Sequence, residues 1–293
     1  MDKIIREKKP DISANSIKTY CSLLRSIYAA GHNGSSADMD LDWFNNQDEV
    51  IHLLKDKAPS SRKTIYSALI AISKDNDKYK AALMEDGKTY DTFIKSQTKT
   101  EKQEANWKSF DEVQAVYDAM AKKVKPILAS KTPLSPEDLR KVQDLVILAI
   151  TSGVFISPRR STDWTEMKIA GHIDKAADNY IDKSTFVFNK YKTAKFYNTQ
   201  RVDIPKPLKL LLNKYIKLSP YEYLLTDNKG NKMTNIRLSQ KLNSLFGNAI
   251  STSMLRHIYI TEQLKNVPAL EKFERMAHDL GNSPMQMLEY VKR

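Results

Sequence analysis

Four short segments of the chain carry side chains that could act together on a phosphate group. They are residues 156–164, 189–195, 251–261 and 278–290. The first and third contain arginines, the second contains lysines, and the fourth ends in Tyr290. Guanidinium groups donate forked hydrogen bonds that match phosphate oxygens, and a phenol becomes an effective nucleophile once it is held in line with phosphorus. These residue types therefore suit attack on a phosphodiester.

Each segment taken singly has an ordinary structural explanation. An arginine pair is typical of a solvated face, a lysine in a hairpin turn is typical of exposed chain, and a tyrosine at helical spacing from Met287 is typical of packing. The five histidines are scattered, and the sequence has no phosphate-binding loop, no HExxH motif and no Cys/His cluster. We therefore expect no metal and no other cofactor.

The order of the four segments resembles the catalytic domain of the tyrosine recombinases, also called integrases. The segments read Pro-Arg-Arg-x-x-Asp-Trp, then Tyr-Lys-Thr, then Leu-Arg-His-Ile-Tyr, then Leu-Gly-Asn-Ser followed by the tyrosine. This form looks most like the branch found in large DNA viruses, virophages and related mobile elements. The resemblance spans about residues 106–293. It implies site-specific cleavage and rejoining of DNA strands, as in the integration, excision or resolution of mobile or viral DNA.

The resemblance assigns the two catalytic arginines. Arg160 matches the first, because Asp163 follows it at the family's acidic position three residues later, and Arg256 within Leu-Arg-His matches the second. Two guanidiniums can hold the non-bridging oxygens of a phosphate as its charge develops. Arg159 is expected to contact DNA or to support the fold.

The resemblance also assigns the nucleophile and the acid. Tyr290 would form a 3′-phosphotyrosine intermediate, and Lys192 would protonate the departing 5′-oxygen, with Lys195 as the alternative. By the same resemblance the partner is double-stranded DNA, and the active complex is a tetramer that assembles on two duplexes.

Two positions depart from the broader family pattern. Many members have histidine three residues before the second arginine, where this chain has Ser253, and many have Leu-Gly-His-Ser, where this chain has Asn282. Serine and asparagine donate hydrogen bonds to phosphate but do not shuttle protons near pH 7. His257 or His278 could compensate from a neighbouring turn. The departures favour one alternative, a DNA-binding protein of the same fold with weak or lost catalysis.

The composition agrees with a polyanionic partner. The chain has 293 residues and a formal net charge of +12, and residues 106–293 hold 30 basic and 19 acidic side chains against 17 and 16 in residues 1–105. The single cysteine, Cys21, excludes an internal disulfide and suits a reducing compartment, and no apolar run reaches the length of a membrane span. We expect an intracellular, DNA-associated protein without membrane contact.

The hydrophobic periodicity predicts a mainly α-helical chain with a small antiparallel β-sheet, in the α+β class. Apolar spacing predicts helices in the first half near residues 17–28, 40–54, 60–72 and 79–84, and in the second half near residues 113–120, 139–149, 208–216, 234–246, 252–264 and 270–280. Residues 184–191 and 200–204 are predicted to pair as strands around a basic connection, and residues 221–225 are a further strand candidate.

The domain boundaries are expected to follow the change in pattern and charge. They divide the chain into residues 1–100, a linker at residues 101–108, and residues 109–293. The resemblance implies that the first part is a helical core-binding domain that clamps DNA and that the last part is the catalytic domain. Two other interpretations stay open: a basic structural or RNA-binding protein whose motif matches arise by chance, and a type IB topoisomerase, which shares the chemistry but needs no partner site.

Overall fold

The protein is described by a computed structural model covering residues 1–36, 39–130, 133–266 and 269–279, without the side chains of residues 276–278. Contacts divide the chain into two compact units. The first contains residues 1–98 together with the helix at Leu270–Asp279, and the second contains residues 99–267. Each unit has its own buried hydrophobic cluster.

The first unit is built from helices. They are α1 (Asp2–Lys8), α2 (Ala14–Gly31), a 3-10 turn (Asp42–Asn45), α3 (Gln47–Leu53), α4 (Pro59–Ile72), α5 (Asp77–Lys95) and α14 (Leu270–Asp279). Ser13 caps α2 by accepting a hydrogen bond from the Ser16 backbone N–H at 3.1 Å. The described contacts of α14 include a 3.3 Å ion pair between Lys95 and Glu274.

The helix predicted over residues 40–54 is interrupted in the structure. Asn46 has φ −75° and ψ 65°, outside the helical region, and separates the 3-10 turn from α3. The flanking side chains serve other partners, since Asn45 accepts from the backbone N–H of Lys74 and Gln47 from that of Lys78. Such side-chain bonds to backbone compete with a continuous helix.

The second unit packs helices around a small sheet. The helices are α6 (Glu101–Asn106), α7 (Phe110–Ala129), α8 (Pro136–Thr151), α9 (Ser161–Thr165), α10 (Ala194–Tyr197), α11 (Lys206–Leu218), α12 (Asn235–Phe246) and α13 (Thr252–Gln263). The centre of its core is α8, whose residues 145–151 are all buried. Ser135 caps α8 by accepting from the Asp138 N–H at 3.1 Å, with proline as the first helical residue, as the sequence predicts.

The sheet has four strands in chain order and is mixed. The strands are β1 (Met167–Lys168), β2 (Asn179–Asp182), β3 (Thr185–Phe188) and β4 (Gln200–Asp203). β3 pairs with β2 and with β4 in antiparallel fashion, which confirms the predicted pair around the basic connection. β1 pairs with β2 in parallel, so the prediction of a purely antiparallel sheet is wrong. Residues 221–225 contribute an isolated bridge to β1 through Tyr223.

The predicted class, mainly α with a small sheet, is confirmed for the described residues. Among those residues, no helix combines the length and the apolar character needed to cross a membrane.

Candidate functional site

A basic depression in the second unit contains all three arginines singled out by the sequence. It has a volume of about 350 Å³. Its walls come from the turn before α9, from α9, from the β3–β4 connection with β4, and from α13; the residues are Ile156, Ser157, Pro158, Arg159, Arg160, Asp163, Tyr191, Thr193, Tyr197, Gln200, Val202 and Arg256. We call it the arginine depression.

Contacts between the starts of α9 and α13 bring Arg160 and Arg256 to the same place. The hydroxyls of Ser161 and Thr252 share a hydrogen bond of 2.7 Å, which joins the first residue of one helix to the first residue of the other. Arg160 directly precedes Ser161, and Arg256 lies about one turn after Thr252.

The end of α8 directs the chain into this region. Gly153 has φ +91°, a conformation that side-chain-bearing residues rarely adopt, and a Cβ there would lie 2.6 Å from the ring of Tyr259 on α13. Ser157 and the Tyr259 hydroxyl are 3.2 Å apart, within hydrogen-bonding distance. The glycine that follows the end of α8 thus also allows the close approach of α13.

The Arg159 side chain is held by contacts within the fold. Its Nε donates to Asp163 at 2.9 Å, and its guanidinium lies 4.0 Å from the centre of the Phe188 ring. The Asp163 side chain is only 3% exposed. Burial raises the pKa of this carboxyl above its ordinary range, and Arg159 is the foremost of the cations that act against the rise. Asp163, used in the sequence to identify Arg160, therefore pairs with Arg159 instead.

Arg160 and Arg256 have no such partner. Within the described part of the chain, neither guanidinium forms a hydrogen bond or an ion pair. Burial, and next to it the positive charge of Arg160, lowers the pKa of Arg256 below its ordinary value. An arginine remains a cation even so. Two neighbouring guanidiniums without an ion-pair partner among the described residues can therefore accept a bound anion with several oxygens, such as a phosphate.

The β3–β4 connection carries the three lysines of the second segment, and each has a different environment. Lys190 donates to Glu166 at 2.9 Å. Lys192 is exposed on the turn between Tyr191 and Thr193, which both line the arginine depression, although Lys192 itself does not line it. Lys195 lies on α10, is exposed, and does not line the depression either.

Two asparagines that the sequence analysis missed anchor this connection. Asn179 is fully buried and donates to the Asp163 carbonyl at 3.1 Å and to the Lys190 carbonyl at 2.9 Å, which links α9 to the end of β3. Its Oδ1 accepts from the N–H groups of Asn189 and Lys190. These bonds are long-range and leave no periodic signal. Asn198 has φ +53°, a left-handed conformation in which asparagine is enriched.

Among the remaining candidate residues, the two that the structure describes, Ser253 and His257, are not brought to the arginines. Ser253 and His257 line a separate depression together with residues such as Lys102 and Asn243. Asn282, Tyr290 and the side chain of His278 lie outside the described residues.

The described residues include no group of three or more His, Cys, Asp or Glu side chains that could hold a metal ion. No protein-family model matches the chain, and no curated protein matches its sequence.

Proposed function

We propose that this protein cuts and rejoins double-stranded DNA through a 3′-phosphotyrosine intermediate, as a tyrosine-type site-specific recombinase. The observation that carries the proposal is the pair of guanidiniums without an ion-pair partner among the described residues, Arg160 and Arg256, in one depression. A structural arginine is normally paired when it is partly buried, as Arg159 is. Two neighbouring cations that share only the charge of Asp163, which Arg159 already pairs, suit a site whose anion arrives with the substrate.

The proposed chemistry divides among four side chains. The Tyr290 oxygen gives up its proton to solvent and attacks phosphorus, a bond forms between them, and the bond from phosphorus to the 5′-oxygen breaks. Arg160 and Arg256 hold the non-bridging oxygens as negative charge develops on them. Lys192 gives its proton to the departing 5′-oxygen. Its exposed position beside residues of the arginine depression is compatible with this role once DNA is bound.

The phosphotyrosine bond conserves the energy of the original phosphodiester, so the reverse attack by a 5′-hydroxyl rejoins a strand. Exchange between two duplexes needs several protomers, and we propose the tetramer that the family resemblance implies. The excess of basic side chains in residues 106–293 supports contact with the DNA backbone.

One observation favours a second candidate, a DNA-binding protein of this fold with weak or lost catalysis. Ser253 and His257 line a different depression from Arg160 and Arg256, so neither supplies a donor or a proton at the arginine pair in the described structure. Such a protein would bind DNA through the same arginines without forming a covalent bond.

A covalent-trapping experiment separates the two candidates. DNA from the protein's own binding site is nicked so that the cleaved end diffuses away, and a denaturing gel is examined for a protein-linked, radiolabelled band. We expect the band with wild type and its loss with Tyr290→Phe, which removes only the phenolic oxygen. Tight binding without a band on any such substrate supports the non-catalytic candidate.

The structure provides a matched control for this test. Tyr197 is exposed and lines the arginine depression, which makes it the described phenol best placed to replace Tyr290 as nucleophile. Tyr197→Phe should keep the covalent band. If Tyr290→Phe keeps the band and Tyr197→Phe loses it, the class of enzyme stands and the assigned nucleophile is wrong.

A further inference from the structure

Two neighbouring aromatic side chains on the β3–β4 connection are exposed to solvent. Phe196 is 70% exposed and Tyr197 is 66% exposed, both at the end of α10. Phenylalanine is normally among the more buried residue types, and adjacent exposed aromatic rings are characteristic of binding surfaces. Neither side chain belongs to the buried cluster of the second unit, and their exposure is typical of a surface that binds a partner.

The connection that carries these rings is anchored rather than loose. The Tyr191 hydroxyl donates to the Asn198 carbonyl at 2.6 Å and closes the segment at its base. Thr199 donates to the Asn189 side chain at 2.7 Å, and Asn189 in turn donates to the Asp178 carbonyl at 2.8 Å. The two exposed rings therefore lie on a connection that is already ordered. Because this connection loses little conformational entropy on binding, the entropic cost of inserting the rings into a partner is lower.

The charge around the rings identifies the kind of partner. Residues 184–202 contain four basic side chains and no acidic one; the basic residues are Lys190, Lys192, Lys195 and Arg201. Lys190 pairs with Glu166, and Arg201 lies 3.7 Å from Asp182. Within the described part of the chain, Lys192 and Lys195 have no ion-pair partner, and the Lys195 ammonium lies 5.1 Å from the centre of the Phe196 ring. A surface that combines lysines outside ion pairs with flat apolar rings matches nucleic acid, which offers phosphates and the π-faces of bases together.

The position of Tyr197 fixes where on the DNA these rings would act. Tyr197 lines the same depression as Arg160 and Arg256, and Phe196 is the next residue. A phosphate held by the arginines would therefore lie on the same part of the surface as the two exposed rings.

We propose that Phe196 inserts against the base step next to the phosphate bound by Arg160 and Arg256 and unstacks it, with Tyr197 flanking that step from the depression. This inference rests on the proposed DNA substrate and adds a base-contacting element to it. Apolar wedges of this kind open a base step and favour steps that unstack easily. Phe196 would accordingly bias the choice of cleavage site toward flexible pyrimidine–purine steps.

Fluorescence of 2-aminopurine tests the proposal, because the base brightens when it is unstacked. The probe is placed in turn at each step flanking the cleaved phosphate in a duplex carrying the protein's binding site. We expect wild type to brighten the probe at one flanking step and Phe196→Ala to abolish that signal. Loss of one stacking contact should weaken DNA binding by roughly five- to a hundredfold.

Two control variants make the expected pattern specific. Leu210→Ala removes an apolar side chain that is also exposed, at 58%, in a lysine-rich helix away from the arginine depression, and it should change nothing. Lys195→Ala should reduce the slope of log affinity against log salt by roughly 0.9, the effect of one lost phosphate contact. Phe196→Ala should leave that slope unchanged, because it removes no charge.

The outcomes separate this inference from the proposed function. If Phe196→Ala binds and brightens the probe as wild type does, the inference is overturned, while a covalent band from wild type keeps the recombinase proposal. If Phe196→Ala alters self-association without DNA and leaves DNA binding intact, the surface is an interface between copies of the chain and the inference is again overturned. Phe196-dependent brightening without a covalent band upholds the inference and rejects catalysis.

Discussion

Replacing the adjacent residues Arg159 and Arg160 one at a time should produce opposite effects on stability and on DNA binding. Arg159→Ala leaves the buried Asp163 carboxylate without its 2.9 Å partner, whereas Arg160→Ala removes a guanidinium that has no ion-pair partner among the described residues. The two variants lose the same side chain one position apart. Any difference between them therefore reports the surroundings and not the residue type.

The magnitude for Arg159→Ala follows from burial. Removing one partner of a buried ion pair costs about 3–5 kcal/mol, and we expect the low end, about 3 kcal/mol, because Arg159 keeps 17% of its side chain exposed. The lost contact with the Phe188 ring at 4.0 Å adds about 0.5–1 kcal/mol. With a urea m-value of about 2 kcal/mol per molar, the unfolding midpoint should fall by roughly 1.5–2 M.

Arg160→Ala should leave the free energy of unfolding unchanged or raise it by at most about 1 kcal/mol, because it relieves repulsion with Arg256. The effect of Arg160→Ala should appear instead in DNA binding and in the rate of cleavage. The salt slope of DNA binding should decrease by roughly 0.9, and cleavage should slow by roughly 100- to 1,000-fold, as when one oxyanion donor is lost.

Urea unfolding and the salt dependence of binding, measured on both variants, test this contrast. The reasoning is refuted if Arg160→Ala destabilises the protein as much as Arg159→Ala does. It is also refuted if Arg159→Ala, measured where it is folded, loses the same salt slope as Arg160→Ala. Either result would mean that Arg159 and Arg160 do not have separate roles, one in stabilising the fold and the other in binding the substrate.

Three further predictions concern the lysines and the chemistry. Burial raises the pKa of Glu166, but hydrogen bonds from Lys232 and Lys190 outweigh it and leave the pKa below its ordinary value of 4.5. The ionised carboxylate should therefore stabilise the fold by about 1 kcal/mol after solvent screening, above pH 4.5, and this stabilisation should be lost as the pH falls through the lower pKa of the folded state. The thermal melting temperatures of wild type and Glu166→Gln should accordingly converge in acid. Lys192→Ala should block cleavage of ordinary DNA yet cut a substrate with a 5′-thiol leaving group, which needs no acid; failure of this rescue on a denaturing gel would move the acid elsewhere, with Lys195 next. Cleavage should proceed in EDTA, and an absolute requirement for Mg²⁺ would contradict the proposed mechanism.

The parts of the fold that could be predicted from the sequence are those set by local patterns. The cap at Ser135, the stop at Gly153 and the alternation of Val202 and Ile204 each reflect neighbours in the chain, and the structure has α8 and β4 where these signals place them. The parallel pairing of β1 could not be predicted, because two residues carry no period and their partner strand lies beyond a ten-residue connection without regular structure.

The candidate site shows the same limit. The family resemblance identified Arg160 and Arg256 as a pair, and the structure places both at one depression. The resemblance did not show that Ser253 and His257 line another depression; at about 100° per residue they lie about 60° and 100° round α13 from Arg256, and so closer to each other than to it. The anchoring role of Asn179 depends on bonds to segments far along the chain, which no local pattern encodes.

The different roles of the adjacent arginines have a simple origin in the backbone. Arg160 precedes α9 with φ −71° and ψ 155°, an extended conformation in which successive side chains project in different directions. One side chain can then turn toward Asp163 and the Phe188 ring, while the next stays available beside Arg256. Asp163 forms its ion pair with Arg159; its charge also acts on Arg160 and Arg256, but it forms no ion pair with either. The same buried pair that stabilises α9 thus keeps the other two guanidiniums open for a phosphate, which links the stability of this unit directly to the proposed chemistry.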